Sequence, residues 1–312
     1  SRTWLGPAAL VALACSGMGA CSSGTRCNGK FGGNRDERLG HIPVYEKIVS
    51  QVPVMQDVSL REKKAMESDH VTRWPPDNYG PPIEWDDQLV ANVPAHVRSD
   101  FVKKVYSVLT VQTLLSALIA LPLVMFVDAA WLKEHAELYY LASFGSLGLV
   151  IGSACCWQDT LRNFPANYSF LFAFTVMMGI CIGFVCVMHS LPCVAISAGS
   201  TAAMFFGLTT YACVTGTDFT GLGPYLFAAC FGLMIVGLVL VFLDWGMGQR
   251  IYGGVGALVF CFYVIYDTQR VMGGSHRKYQ FNVDDYVFAA LNLYLDVVNV
   301  FTFGLEMFGR RE

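Results

Sequence analysis

Charge is what this chain has least of. Only 14% of its 312 residues are Asp, Glu, Lys or Arg, while 54% are hydrophobic and the mean hydropathy is +0.46. Ordinary soluble domains carry roughly 25% charged residues, so the deficit excludes that class and points to an integral membrane protein. The shortage is uneven, because 23 of the 45 charged residues fall in the first 100 positions. The membrane part therefore begins near residue 101. Net charge is only −3 and no basic stripe with interleaved aromatics is present, so nucleic acid is not expected as a partner. The 11 cysteines make no C-x-x-C pair and no His cluster accompanies them. Most lie in or beside apolar runs, where a free Cys behaves as a small buried hydrophobe. No metal centre or organic cofactor is implied.

The first 35 residues lack Asp and Glu but hold four Lys/Arg, and Trp4 to Ala14 form a short apolar run. That pattern suits a targeting segment, secretory or organellar, better than a spanning helix; an untargeted tail is the alternative. Residues 36–98 are polar and carry Trp74-Pro75-Pro76 and Gly80-Pro81-Pro82, where Pro fixes φ and removes amide donors. They read as an extended arm whose Trp74, Tyr79, Ile83 and Trp85 could engage a partner surface, or as a solvated tail.

Residues 99–312 form the membrane domain. Seven apolar stretches follow one another at 105–127, 138–157, 168–188, 192–214, 223–243, 251–272 and 286–308, each long enough for a hydrocarbon core of about 30 Å. They lack the strict alternation of barrel strands, and helices alone satisfy their backbone groups within one span. The expected fold is an all-α integral membrane protein with seven transmembrane helices, the lipid bilayer its surroundings. Arg98, Lys103, Lys104, Arg162, Arg270, Arg277 and Lys278 would share one side, against Lys133, Arg250, Arg310 and Arg311 on the other, which orients the N-terminal arm toward the cytosol or its equivalent. Gly148-x-x-x-Gly152 and Gly179-x-x-x-Gly183 let helix backbones approach closely, within the molecule or between copies.

Two aspartates interrupt the last two apolar spans: Asp267 in Val264-Ile265-Tyr266-Asp267-Thr268-Gln269 and Asp296 in Leu291-Asn292-Leu293-Tyr294-Leu295-Asp296. A carboxylate at bilayer depth costs roughly 2.5–3.5 kcal/mol on insertion scales, so it faces the bundle interior or an aqueous cavity and marks an ion or proton path. Asn292, Asp296 and Asn299 fall at i, i+4 and i+7, a single polar stripe. The stripe must avoid lipid, which makes the seventh helix central, enclosed by the other six and turned toward Asp267. Counted inward from the intervening loop, the two carboxylates differ in depth by roughly 7 Å at 1.5 Å per residue, a gap that tilt can close. Within a few ångström of each other they cannot both ionise cheaply, and a pair sharing a proton is a pH switch. Deprotonated, it is a hard oxygen site of the kind Ca²⁺ favours, with Asn292, Asn299, Thr268 and water completing a ligand set that two carboxylates alone leave short. Arg162 could reach a carboxylate or snorkel to headgroups. The plainer reading is that each Asp merely accepts helix-to-helix hydrogen bonds. Asp284 and Asp285 are expected to cap the last helix.

Tyr266-Asp267-Thr268-Gln269, His276-Arg277-Lys278-Tyr279 and the run Asp285 to Asp296 resemble the transmembrane Bax inhibitor motif family, specifically its lifeguard branch. Val97 to Tyr106 is similar to that branch's entry into the first helix, Arg162 to Tyr168 to its entry into the third, and Leu208-Thr209-Thr210-Tyr211 with Asp218-Phe219-Thr220 to its fourth-helix exit. Roughly residues 97–309 are covered. The resemblance implies a seven-helix fold with a central last helix, a paired-aspartate site at Asp267 and Asp296 with Arg162 as a contributing arginine, a pH-sensitive Ca²⁺ leak across an internal membrane, endoplasmic reticulum or Golgi, and suppression of cell death. The first 95 residues depart from the branch's Pro/Gly/Tyr-rich arm.

Three function classes compete. The first is a cation leak, Ca²⁺ the expected ion, gated by the aspartate pair. The second is a non-catalytic accessory subunit of a larger organelle membrane complex, the mitochondrial inner membrane included, docked through residues 36–98; cell-death regulators are the other candidate partners of that arm. The third, an intramembrane aspartyl protease, is disfavoured. Such enzymes need Gly-x-Gly before the second aspartate, where this chain has Tyr294 and Leu295, and no Pro-Ala-Leu follows. The chain is expected not to be an enzyme.

Overall fold

The computed structural model describes residues 89–155, 165–243, 246–274 and 277–309. They form an all-α membrane body of seven apolar helices: α1 (Ala95–Phe126), α2 (Ala136–Cys155), α3 (Ala166–Val187), α4 (Leu191–Val214), α5 (Gly223–Phe242), α6 (Gly246–Met272) and α7 (Tyr286–Phe308). Six of these, all but α2, are long and apolar enough to cross a membrane, whereas the apolar part of α2 spans Ala136–Gly152. Of the seven spans expected from the sequence, six are thus long apolar helices, and the remaining stretch is α2, 20 residues over Ala136–Cys155. Among the described residues the only β-pairing is one antiparallel bridge, Leu89 to Asn282.

α7 is the centre, with 83% of its most apolar window buried. It packs on α6, α1, α4 and α3, while α2 lies outside on α3 and α5 outside on α6. Four helices, rather than the expected six, therefore form its principal wall. On the α1/α3 side the contacts are tight and the hydroxyls of Ser116, Thr175 and Tyr294 are hydrogen-bonded. Tyr294 packs edge-on against Phe174 at 6.1 Å and its hydroxyl meets Ser116 Oγ at 2.6 Å, while Gln112 Nε2 donates to Thr175 Oγ1 at 3.2 Å. Gly179-x-x-x-Gly183 serves this seam: an added Cβ at Gly183 would lie 2.5 Å from Leu123 Cδ1 and 3.3 Å from Ala120 Cα of α1. Nothing lies within 4 Å of the corresponding point at Gly148, so this glycine of the α2 pair serves no such contact.

The α6/α7 crossing depends on glycines that hydropathy does not single out. A Cβ at Gly253 would stand 2.5 Å from the Met307 nitrogen and 2.7 Å from the Phe303 oxygen, both backbone atoms of α7, and one at Gly256 would strike the Phe303 ring. Small residues thus let these helices approach to backbone contact. α6 ends at Gly273, whose φ of 61° few other residues adopt without strain.

α1 starts about ten residues before its apolar run, and Val90 and Val93 are already buried. The amide of Val90 donates to the Phe281 carbonyl at 3.1 Å, so the body takes in residues the sequence reading assigned to the arm. α1, α3 and α7 begin at one end: Lys104 of α1 sits over the Tyr286 ring at 5.5 Å and Asn167 of α3 donates to the Tyr286 hydroxyl at 3.1 Å. That end is the near end below.

Candidate functional site

The last two turns of α6, Tyr263 to Val271, are buried throughout. Helical spacing puts Asp267 and Arg270 on one face at i and i+3, and they form an ion pair of 3.0 Å, Nη1 to Oδ1. Both are inside: Asp267 is 4% and Arg270 3% exposed. The guanidinium is sandwiched further, lying 3.9 Å from the Phe281 ring centroid and 5.3 Å from that of Tyr266, faces that attract a planar cation. Phe281 belongs to the α6/α7 loop, so the loop closes over the arginine.

Asp296, 1% exposed, comes from α7. Its carboxyl lies near enough to that of Asp267 for each to feel the other's charge. Its Oδ2 has no donor among the described residues. The structure therefore brings together the two aspartates that the sequence singled out, and adds Arg270.

The other expected site residues fare differently. Asn299 is fully buried, but its amide nitrogen donates to Leu295 O of its own helix at 2.8 Å. Asn292 is buried on α7. Thr268 is fully buried with an unpartnered hydroxyl, and it faces Tyr106 of α1. Arg162 lies outside the described residues, as do residues 1–88. Arg270, which the sequence reading spent on the interfacial charge count, is the arginine beside Asp267. The overlooked signal was its i+3 spacing from a carboxylate at bilayer depth. Among the described residues no group of three or more His, Cys, Asp or Glu could hold a metal ion.

A second polar cluster holds the near end. Arg277, also counted as interfacial, is buried and caps the C-terminus of α4: it donates to the carbonyls of Thr217, Thr215 (3.0 Å) and Ala212 (3.5 Å), where the helix leaves acceptors unpaired. Asp218 accepts from the Thr220 amide (2.9 Å), the Thr220 hydroxyl (2.7 Å) and the Lys278 amide (3.1 Å), with Arg277 4.0 Å away. Burial pushes this carboxyl up, but the hydrogen bonds and the Arg277 charge outweigh it and hold the group below its usual range. Gln269 completes the clamp, accepting from the Phe219 amide at 2.8 Å and donating to Thr217 O at 3.0 Å. Asp218, part of the fourth-helix exit motif in the sequence, is thus a hub between two loops. Asp285 does occupy the N-cap position of α7, but its side chain makes no capping hydrogen bond, so its support for the helix is electrostatic.

Residues 98–312 match the family described as Inhibitor of apoptosis-promoting Bax1. Human Protein lifeguard 3 is 32% identical, over 75% of this chain and 74% of its own length. Mouse Protein lifeguard 4 is 32% identical over 72% and 87% respectively. The Golgi anti-apoptotic protein of vaccinia virus (strain Lister) is 31% identical over 70% and 88%. With its buried aspartates on adjoining apolar helices and this similarity along most of its length, the chain belongs to the Bax inhibitor family of membrane proteins, among its lifeguard members.

Proposed function

We propose that this protein is a pH-sensitive cation leak of an internal membrane, Ca²⁺ its ion, and that the leak serves to restrain cell death. One observation carries the reading: Asp267 and Asp296 lie side by side inside the body, and Asp296 Oδ2 lacks a donor among the described residues. With a proton shared between the carboxyls, Arg270 balances the single remaining negative charge and the site is neutral overall. Loss of that proton leaves two carboxylates against one guanidinium, a net negative oxygen site that repels itself and attracts a hard cation. The charge change is confined to a buried place, so it acts with little screening. Two carboxylates fall short of the roughly six to eight oxygens that hold Ca²⁺ firmly; weak holding suits passage better than storage. The names of the relatives, lifeguard proteins and a Golgi anti-apoptotic protein, support both the internal membrane and the link to cell death.

Proteolysis finds no support at the same pair. Leu293 and Leu295 stand where a di-aspartyl protease has the two glycines of its Gly-x-Gly, and both are buried.

The test is Ca²⁺ entry into proteoliposomes across about pH 5 to 8, a range that brackets a carboxyl pair sharing a proton. Asp296→Asn, which leaves the Arg270 pair intact, is expected to lose the parent's pH dependence, with Asp267→Asn beside it. An Asp296→Asn protein with the parental pH profile would sink the proposal.

A further inference from the structure

Hydroxyls inside a helix ordinarily find a partner one turn back, and most of those here do. Thr110, Thr113, Ser116 and Thr175 each donate to the carbonyl four residues earlier, at 2.7 to 2.9 Å, and Thr210 on the outer face of α4 does the same at 2.8 Å. Ser197, Thr201 and Thr209 of α4 do not: their hydroxyl oxygens are buried and have no hydrogen-bond partner among the described residues. Ser197 is 0% and Thr201 5% exposed. α4 is otherwise the most outward-facing of the long helices, with 11% of its most apolar window buried, and it packs chiefly on α6 and α7. Its inner side therefore carries unpaired hydroxyls among the core-facing Met204, Phe205 and Leu208, while its broad outer face is apolar.

Residues 197, 201 and 209 repeat at multiples of four along one face and span about 18 Å at 1.5 Å per residue. The strip passes the aspartates. Met204, between Thr201 and Thr209, meets Cys261 of α6 at 3.7 Å between sulfurs, and Cys261 feels the charge of Asp296. Toward the near end Thr209 faces Tyr106, which also faces Thr268, the residue next to Asp267. These three hydroxyls form a buried polar cluster at that end. Toward the far end Ser197 Oγ lies 3.7 Å from the point where Gly304 of α7 would carry a Cβ.

The Ser197 and Thr201 hydroxyls, buried and without a partner among the described residues, are groups that water ordinarily satisfies. We infer that the inner strip of α4 lines a hydrated track along the α4/α6/α7 seam, with Ser197 and Thr201 on one side of the aspartates and Thr209, Thr268 and Tyr106 on the other. The track carries water and, where the leak reading above holds, the hydrated cation; only that second clause rests on the leak. Met204 against Cys261 is the apolar interruption beside Asp296. The α1/α3/α7 seam, whose hydroxyls are bonded, is dry.

Ser197→Cys, Thr201→Cys and Thr209→Cys in the full chain, reconstituted in liposomes, test this with the cationic reagent trimethylammonium-ethyl methanethiosulfonate, read by peptide mass spectrometry. The reagent attacks thiolate, which forms where water reaches the sulfur. Modification at least about tenfold faster than at Ala198→Cys and Ala202→Cys on the lipid-facing side is expected, the factor that one unit of thiol pKa would make. Equal rates would overturn the inference. Should a variant fail to fold, X-ray hydroxyl-radical footprinting of the unmutated protein decides. Oxidation of Tyr106 above that of the outward Phe206, each normalised to intrinsic reactivity, supports the track, and the reverse order refutes it. Labelling without Ca²⁺ flux would leave the track standing and defeat the leak; flux with an unlabelled strip would defeat the track alone.

Discussion

The two seams that enclose α7 are built on different terms. Against α1 and α3 it presents Tyr294, which fills space, stacks on Phe174 and bonds Ser116. Against α6 and α4 it presents Asp296, which has an acidic neighbour and an oxygen without a donor among the described residues, next to a helix whose Ser197 and Thr201 hydroxyls are likewise unpaired among them. Both seams are buried, so burial does not distinguish them; satisfaction does. A buried polar group left unpaired costs about 1–3 kcal/mol, and a fold that tolerates several on one side and almost none on the other has arranged that side for something besides stability.

The largest expected effect breaks the functional seam at its charged centre. Asp267→Asn takes away the carboxylate that Arg270 touches, leaving Asp296 as its more distant counter-charge, and is expected to cost up to about 3–5 kcal/mol, seen as a fall in thermal midpoint in detergent. Adding Arg270→Gln should return much of it, whereas no recovery would mean the pair is not the balanced unit described. Gly253→Ala comes next. A methyl pressed on the α7 backbone should cost about 1–3 kcal/mol by overpacking, while Gly148→Ala, with open space around it, should cost almost nothing; similar losses at both would discredit the close α6/α7 crossing.

A matched pair sharpens the comparison of seams. Tyr294→Phe removes the bond to Ser116 and should lower stability by about 1–2 kcal/mol with Ca²⁺ flux unchanged. Thr201→Val keeps shape and removes an unpaired hydroxyl, so stability should hold or rise while flux falls. If both variants change stability alike, the seams do not differ as argued.

The smallest effect concerns the near-end clamp. Because the Asp218 carboxyl is held below its usual range, its contribution is complete above the unfolded value of about 3.9 and is lost as pH falls through the lower folded value. Stability followed from neutral into acid should therefore drop more steeply for the parent than for Asp218→Asn; parallel curves would deny Asp218 that role.

Much of this was legible in the residues. Apolar run length gave the helices, because lipid demands it, and two carboxylates at bilayer depth stood out because they are expensive there. What stayed hidden was neutral to hydropathy. Ser197, Thr201 and Thr209 barely alter an apolar average, and whether a helical hydroxyl bonds its own backbone is decided only by packing. Gly253 and Gly256 were one more small pair until α7 lay across them. Arg270 and Arg277 sit at helix ends, where basic residues ordinarily meet headgroups; only the folded loops turn them inward. The asparagines misled for the converse reason, since a polar stripe on a helix identifies a face and not the partner of each group, and Asn299 bonds to its own backbone.

The central claim is that Asp267 and Asp296 share a proton that neutral or alkaline conditions remove. Infrared difference spectroscopy of the reconstituted protein between about pH 5 and 8 reads it directly, through the band of a protonated carboxyl. The account expects a band that disappears as pH rises and is missing from Asp296→Asn. A parent spectrum with no protonated carboxyl anywhere in that range, or an unchanged band in Asp296→Asn, would contradict it.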